Sequence, residues 1–365
     1  MPSVLVVTVV HDPEDSRIRH RQIPVLLADG WQVTYAAPFR GYERPAPILA
    51  GMRTLDLPRA VGRDRAAAAR AARALVKREG QEHDLVLVHD PELVAALAGL
   101  RLPNLVWDVH EDPSAALIVK EWLPKPARWA AGRVWRGAER LAERQHRLLL
   151  AEYAYQERFR RRHPVVPNTV RVPESVPEPG RDRVVYLGTV TMARGAAEMA
   201  AVGRILRERT DGACRLEIIG GSKDAAATDV LTAANDAGEL VWHGFVPSDQ
   251  ALASLPGALA GLSLLQDLPN YRHSRPTKII EYMAHGVPVI TTPLPVAVEL
   301  VESAGAGVVV PFGDAAAAAE AILLLRDDPD RARAYRAAGH AAARTAYDWN
   351  TAGPEFTATL RGFLP

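Results

Sequence analysis

The sequence predicts an α/β protein built from two doubly wound halves of similar size. Short apolar runs alternate with longer stretches of helical periodicity along the whole chain, as parallel sheets with crossover helices require. An aperiodic segment, Val166–Arg181, carrying Pro167, Pro173, Pro177 and Pro179, divides that series in two and reads as a linker. The chain of 365 residues is long enough to bury a full core on each side of it.

In the first half, Val4–Val10 is a buried-strand run, followed by a polar loop and an amphipathic stretch, Ile18–Leu27. Gly30 stops that helix, and Gln32–Tyr35 is the second strand. Further strands are expected at Leu85–His89, Leu105–Val109, Leu148–Ala151 and Val165–Val166, with helices over Ala60–Lys77 and Pro91–Leu100. In the second half, strands are expected at Val184–Gly188, Arg215–Gly220, Leu240–Trp242, Gly261–Leu265, Val287–Thr291 and Gly307–Val310. An Ala-rich helix follows Asp314, and an Arg/Ala-rich helix runs from about Asp330 to Thr345. Ligands of such folds sit outside the carboxyl ends of the strands.

Composition narrows the function. A net charge of +1 argues against a nucleic-acid partner. The single cysteine, Cys214, excludes an internal disulfide framework, and no Cys/His group has structural-zinc spacing. No apolar run is long enough for a membrane span, and Met1-Pro2-Ser3 enters a strand without a basic n-region, so a soluble cytoplasmic protein is expected. Neither half opens with GxGxxG, which weighs against a nicotinamide or flavin enzyme. Walker A, GxSxG and HExxH patterns are absent as well.

The most informative block runs from His273 to Ile290. Pro276 stands near the start of a helix, Lys278 lies in its first turn, Glu281 follows three residues later, and Gly286 ends it. A helix N-terminus is a ready anion site, to which Lys278 adds a point charge. Glu281 is suited to ribose hydroxyls rather than to phosphate. An amphipathic helix with a solvated Lys/Glu face would show the same local pattern.

This block resembles the donor-binding signature of retaining glycosyltransferases of the GT-B fold, family GT4, in the variant with a Glu-Tyr-Met-Ala helix. The resemblance implies a GT-B architecture: two Rossmann-like doubly wound domains facing across a cleft, with a C-terminal helix crossing back to the N-terminal domain. The implied organisation is an acceptor domain over residues 1–170, a nucleotide-sugar donor domain over 171–345, and a returning tail over 346–365, on which Tyr347-Asp-Trp349 resembles the family's crossing segment. It implies that Glu281 binds the ribose and that Ser274, Thr277 and Lys278 lie by the phosphates. Many members carry a second glutamate eight positions earlier; here that position is His273, which leaves the donor sugar open.

The run Gly188-Thr189-Val-Thr-Met-Ala-Arg194-Gly195 ends a strand and opens a helix. The resemblance places it against the donor phosphates, with Arg194 where the family has lysine and Thr189 where it has arginine. A guanidinium grips a diphosphate bidentately, and Arg275 or Lys278 compensates for the arginine lost at Thr189. Gly220-Gly221 marks a sharp turn or a close approach. The resemblance also places the backbone of Phe245 and Val246 at the nucleobase, while His243 reads as structural.

In the first half, the resemblance matches His110, in the loop Val109-His110-Glu111-Asp112, to the family's histidine beside the reacting centre. Glu111 and Asp112 are candidates to orient it or to bind acceptor hydroxyls. The loop His11–Arg17 supplies Asp15, Ser16 and Arg17 as acceptor-side candidates; His89 and Asp90 read as a cap of the following helix. The implied reaction is retaining transfer from a nucleoside diphosphate-sugar, with UDP- or GDP-sugars foremost, to a glycan, lipid-linked or small-molecule acceptor. His110, Arg194 and Lys278 carry it, and no metal or further cofactor is expected. A non-catalytic partner subunit and a nucleotide-sugar 2-epimerase are the rival readings. Residues 120–147 combine an excess of Arg and Lys with Trp122, Trp129 and Trp135, and read either as a membrane-surface contact or as a helix with its tryptophans packed inward.

Overall fold

The computed structural model describes residues 1–110, 125–272 and 274–364. It divides into two compact units, Met1–Asn168 with Asn350–Pro365, and Thr169–Trp349.

Unit 1 holds a parallel sheet of six strands: β1 Ser3–Val7, β2 Gln32–Ala37, β3 Met52–Asp56, β4 Leu85–Val88, β5 Leu105–Val109 and β6 Arg147–Leu150, in the order β3-β2-β1-β4-β5-β6. Helices on both faces bury it, so the central strands are continuous apolar runs such as Leu85-Val-Leu-Val88, fully buried. Strand β1 ends three residues before the expected Val10, because Asp90 takes the N–H groups of Val9 and Val10. Val165–Val166 forms only a bridge, Val165 to Leu150, rather than a strand. Strand β3 was invisible in the apolar pattern because this edge strand, Met-Arg-Thr-Leu-Asp, has no fully buried residue.

Unit 2 repeats the winding with β7 Arg183–Leu187, β8 Arg215–Ile219, β9 Leu240–Gly244, β10 Ala260–Ser263, β11 Val289–Thr291 and β12 Gly307–Val309. Their order is β12-β11-β10-β7-β8-β9, again all parallel. The Ala315–Asp327 helix is capped by Asp314, whose carboxylate accepts from the Ala317 N–H at 2.8 Å, and Pro329–Ala346 follows under an Asp328 cap. In each unit the winding reverses beside its first strand, between β1 and β4 in unit 1 and between β7 and β10 in unit 2. The turns leaving those strand ends are where each unit offers a ligand site.

Candidate functional site

In unit 2 the reversal point is tied together by Tyr282. Its hydroxyl donates to the Leu262 carbonyl at 3.1 Å and accepts from the Leu187 N–H at 2.9 Å, joining the ends of β10 and β7. Gly261 makes room for the ring, since a Cβ there would lie 2.6 Å from it. The buried face of the Thr277–Ala284 helix is thereby locked onto the sheet, and its first turn is aimed at the turn after β7.

That turn is built to carry Arg194. Thr191 caps a single 3-10 turn, Met192–Arg194, by accepting the Arg194 N–H at 3.2 Å. Gly195 follows at φ +90, and a Cβ there would stand 2.5 Å from the Leu264 carbonyl, so only glycine lets the backbone close onto β10. The Arg194 guanidinium rests on the Thr189 carbonyl at 3.2 Å, beside the Tyr186 hydroxyl bonded to the same oxygen at 2.8 Å.

Lys278 comes into this turn from the facing helix. Its Nζ lies 3.6 Å from the centre of the Tyr186 ring and 3.9 Å from where a Gly188 Cβ would stand. The ammonium is screened from solvent and has no hydrogen-bond partner among the described residues. Burial, and then the positive charge of Arg194, hold it well below the ordinary lysine pKa, with Glu281 opposing. The charged form of such a group, without an acceptor, is one an incoming anion stabilises.

The remaining unit 2 candidates take separate places. Glu281 is buried one turn along the helix, and Thr277 stands at its start, half-buried. Ser274 and Phe245 are exposed, and Phe245 packs its Cβ beside Gly221 at the end of β8. Val246 is packed against the core, and Arg275 stands over the Tyr347 ring at 5.7 Å. Partly exposed His243 faces Glu217 at 3.7 Å. His273 lies outside the described residues.

Unit 1 gathers a polar cluster at its own reversal point. Asp90, fully buried at the end of β4, accepts from the Thr8 hydroxyl at 2.9 Å and from the N–H groups of Val9 at 2.5 Å and Val10 at 3.2 Å. This corrects the capping role expected of it: its side chain gives the following helix no hydrogen bond and clamps the turn after β1 instead. The clamped turn delivers His11, whose Nε2 lies 3.3 Å from Asp90 and 3.0 Å from Nε2 of His110. His110 turns its other nitrogen to the Asp108 carbonyl at 3.1 Å. A carbonyl only accepts, so His110 carries its proton on Nδ1, and His11 donates to the bare Nε2. Burial above all, with His11, His89 and Arg17 adding to it, lowers the His110 pKa to about 3, against the pull of Asp108.

Arg17 does not open toward a ligand. It is buried, with Nε and Nη2 each 2.8 Å from the Asp108 carboxylate, Nη1 on Asn168 at 3.0 Å and a further bond to the Val166 carbonyl. In place of the acceptor-side position expected of it, the structure shows its charge taken up in holding β5 to the end of the unit. Asp15 caps the next turn, accepting from the Arg17 and Ile18 N–H groups at 2.8 and 3.0 Å. Burial would raise its pKa, but His11, His110 and these two donors lower it. Ser16 is half-buried on the same turn; Glu111 and Asp112 lie outside the described residues.

His89, Asp108 and His110 bring potential ligand atoms within 4.8 Å of one another. The Asp108 carboxylate is already neutralised by Arg17 and bonded by Gln22 at 2.7 Å, so a cation there would sit against a guanidinium. With Asp108 paired to Arg17 and His89 Nδ1 3.3 Å from the same carboxylate, the trio fits an ion-pair network better than a metal site. Sequence reasoning assigned no role to His11, Asp108 and Gln22, because each acts on a partner 86 to 99 residues away.

Residues 181–328 match the family model described as glycosyl transferases group 1. The match is to a hexosyltransferase-type class of enzymes, and it falls on the unit that carries Arg194 and Lys278. No curated protein matches the chain. Among solved structures, sucrose-phosphate synthase from Thermosynechococcus elongatus superposes at TM-score 0.73 with 16% identity, covering 99% of both chains. WaaG, a glycosyltransferase involved in lipopolysaccharide biosynthesis, gives 0.70 and 13%, covering 99% of this chain and 100% of the other. Anabaena HepE in complex with UDP and glucose gives 0.67 and 14%, covering 99% of each. What the chain shares with these structures is the fold, two parallel α/β units of GT-B type.

Proposed function

We propose that this protein is a glycosyltransferase that takes a sugar from a nucleoside diphosphate-sugar and passes it to an acceptor hydroxyl. The observation that carries the reading is Lys278: a buried ammonium without an acceptor, beside Arg194, at the reversal point of the unit that matches the group 1 family. A diphosphate supplies the acceptor that Lys278 lacks and lies within reach of the neighbouring Arg194 guanidinium.

In this reading Arg194 and Lys278 neutralise the charge that grows on the departing diphosphate as the glycosidic bond breaks, helped by the N–H groups at Thr277. Because two fixed cations do this, transfer proceeds without a metal. Glu281 accepts hydrogen bonds from the ribose hydroxyls, and the Phe245–Val246 backbone meets the base. Gly188 and Thr189 line the turn; Ser274 and His273 complete the donor side. A neutral His110, with Asp15, Ser16, Glu111 and Asp112, serves the acceptor side, and the family resemblance supports a retaining outcome. A UDP-sugar is the first donor to try, since HepE was solved with UDP, and a GDP-sugar the second.

The test is a thermal-shift and calorimetric screen of UDP, GDP, TDP, ADP and CDP against the wild type and Glu281→Ala. One diphosphate should stabilise the wild type and fail with the variant. No stabilisation by any of them would sink the transferase reading. Binding without turnover on any acceptor would point to a nucleotide-binding partner subunit.

A further inference from the structure

The helix Lys125–Gln145 of unit 1 carries a surface that none of the residue roles proposed above uses. Its two acids, Glu139 and Glu143, are both turned inward and buried. Glu139 accepts from the Trp135 indole at 3.0 Å and pairs with Arg158. Glu143 accepts the N–H groups of Arg160 and Arg161 at 2.8 and 2.7 Å and meets His163 at 3.1 Å. Burial would raise its carboxyl, but the Arg161 N–H, His163 and the Arg160 N–H hold it low, so it stays an anion within the unit.

With its acids internal, the helix shows arginine outward. Arg133, Arg136, Arg140 and Arg144 are exposed and spaced by three and four residues, one stripe on one face. The same bonds to Glu143 bring the exposed run Arg160–Arg162 to the end of that stripe. Beside the arginines stand apolar side chains left exposed among the described residues: Trp129 is 67% exposed, Val134 73% and Leu141 49%. Val134 and Leu141 are seven residues apart, so they form a second stripe, and the Arg133 guanidinium lies 4.8 Å over the Trp129 ring. Stacked like charges destabilise a helix in water, and exposed Trp, Val and Leu gain nothing there.

We propose that this face docks on an anionic lipid bilayer, the arginines meeting headgroup phosphates while Trp129, Val134 and Leu141 enter the acyl boundary. Charge complementarity selects the negative surface, and the apolar stripe selects a lipid over a nucleic acid, whose phosphates offer it no apolar counterpart. The helix is too polar to cross the membrane: no described helix is long and apolar enough to do so. The association is therefore peripheral, and it stands independently of the donor site on unit 2.

The test is co-sedimentation of the full chain with phosphatidylglycerol–phosphatidylcholine vesicles and with phosphatidylcholine vesicles alone. Binding is expected only to the first, weakening with salt. Arg136→Glu/Arg140→Glu should weaken it by at least ~20-fold, since each basic residue near such a surface contributes about fivefold. Val134→Ser/Leu141→Ser should also weaken it at unchanged charge. If the glutamate variant fails to fold by circular dichroism, Arg136→Gln/Arg140→Gln replaces it, with a smaller loss expected. No sedimentation with the anionic vesicles overturns the proposal. So does binding that the Ser variant leaves intact and duplex DNA competes away, which would assign the stripe to a polyanion. Thermal stabilisation by nucleoside diphosphates should be the same in every variant, which separates this test from that of the donor site.

Discussion

Lys278 trades stability for binding. A buried ammonium without a hydrogen-bond acceptor, beside a ring and another cation and only partly offset by Glu281, costs the empty fold free energy, and Lys278→Met removes the charge while keeping most of the volume. The variant should melt no lower than the wild type without ligand, and higher if the desolvation cost dominates. Its affinity for the nucleoside diphosphate should fall roughly 10- to 100-fold, the loss of ~1.5–3 kcal/mol typical of a charge-assisted bond. Because burial holds the lysine pKa low in the empty site and an anion opposes that shift, diphosphate binding should weaken as pH rises toward the ordinary lysine range, and Lys278→Met should lose that dependence, as titration calorimetry at several pH values would read. His110 makes the complementary case in unit 1. Its folded pKa of about 3 lies below the ordinary 6.5, so the unfolded chain binds the extra proton in that window. Its contribution is fully present above about pH 6.5 and is lost as pH falls toward 3, with His11, His89, Asp108 and Arg17 the charged or titratable groups around it. Asp15 and Asp108, both held below the ordinary 3.8, add their own loss only further down. His110→Gln should therefore flatten the fall in unit 1 melting temperature between pH 6.5 and the carboxylate range. An unchanged slope would mean that another group titrates there.

At the scale of elements, the two sites were not equally legible. The Pro276–Gly286 block is local: Pro276, Lys278 and Gly286 mark the start, first turn and end of one helix and announce themselves in sequence order. So do the buried strands, where burial on both faces writes an unbroken apolar run, whereas edge strand β3 mixes Arg53 and Thr54 into its five residues and stayed hidden. The unit 1 cluster needs the ends of β1, β4 and β5 side by side, and no window of sequence contains His11, Asp90 and His110 together. Asp108 looked like part of an apolar strand because its partner, Arg17, sits 91 residues earlier. The Gly220-Gly221 pair was legible as a close approach but not as a contact. A Cβ on Gly220 would lie 2.0 Å from the Gly188 carbonyl oxygen, so Gly220→Ala must push the turn that carries Arg194. That substitution should lower the melting temperature by several degrees and weaken diphosphate binding at least ~10-fold, a displacement of ~1.4 kcal/mol or more. Gly212→Ala, also at positive φ but with open space around it, is the control: it should cost only the ~1–2 kcal/mol of backbone strain and leave binding unchanged.

For the molecule as a whole, the chain passes from one unit to the other twice. The two passages lie side by side, with the Val170 N–H bonded to the Tyr347 carbonyl at 2.9 Å and the Trp349 N–H to the Val170 carbonyl at 2.6 Å. Past the second passage, Asn350–Pro365 completes unit 1. The tail buries Phe356 and Leu360 fully, and Arg361 fixes its end through two 2.8 Å bonds to Asp29. Unit 1 is thus assembled from both ends of the sequence, while unit 2 is continuous and contains the whole family match. This asymmetry makes a truncation after Trp349 decisive. Removing two core side chains of this kind costs on the order of 5–10 kcal/mol, comparable with the 5–15 kcal/mol that stabilises a typical domain. Calorimetry of the truncated chain should show the unit 1 transition lost or shifted far down. The unit 2 transition, and its stabilisation by the cognate nucleoside diphosphate, should persist, because every residue assigned to the phosphates lies between Gly188 and Glu281. Loss of both transitions together would show that unit 2 depends on the tail for its own stability; a unit 1 transition at the wild-type temperature would show that the tail is dispensable to the core it fills.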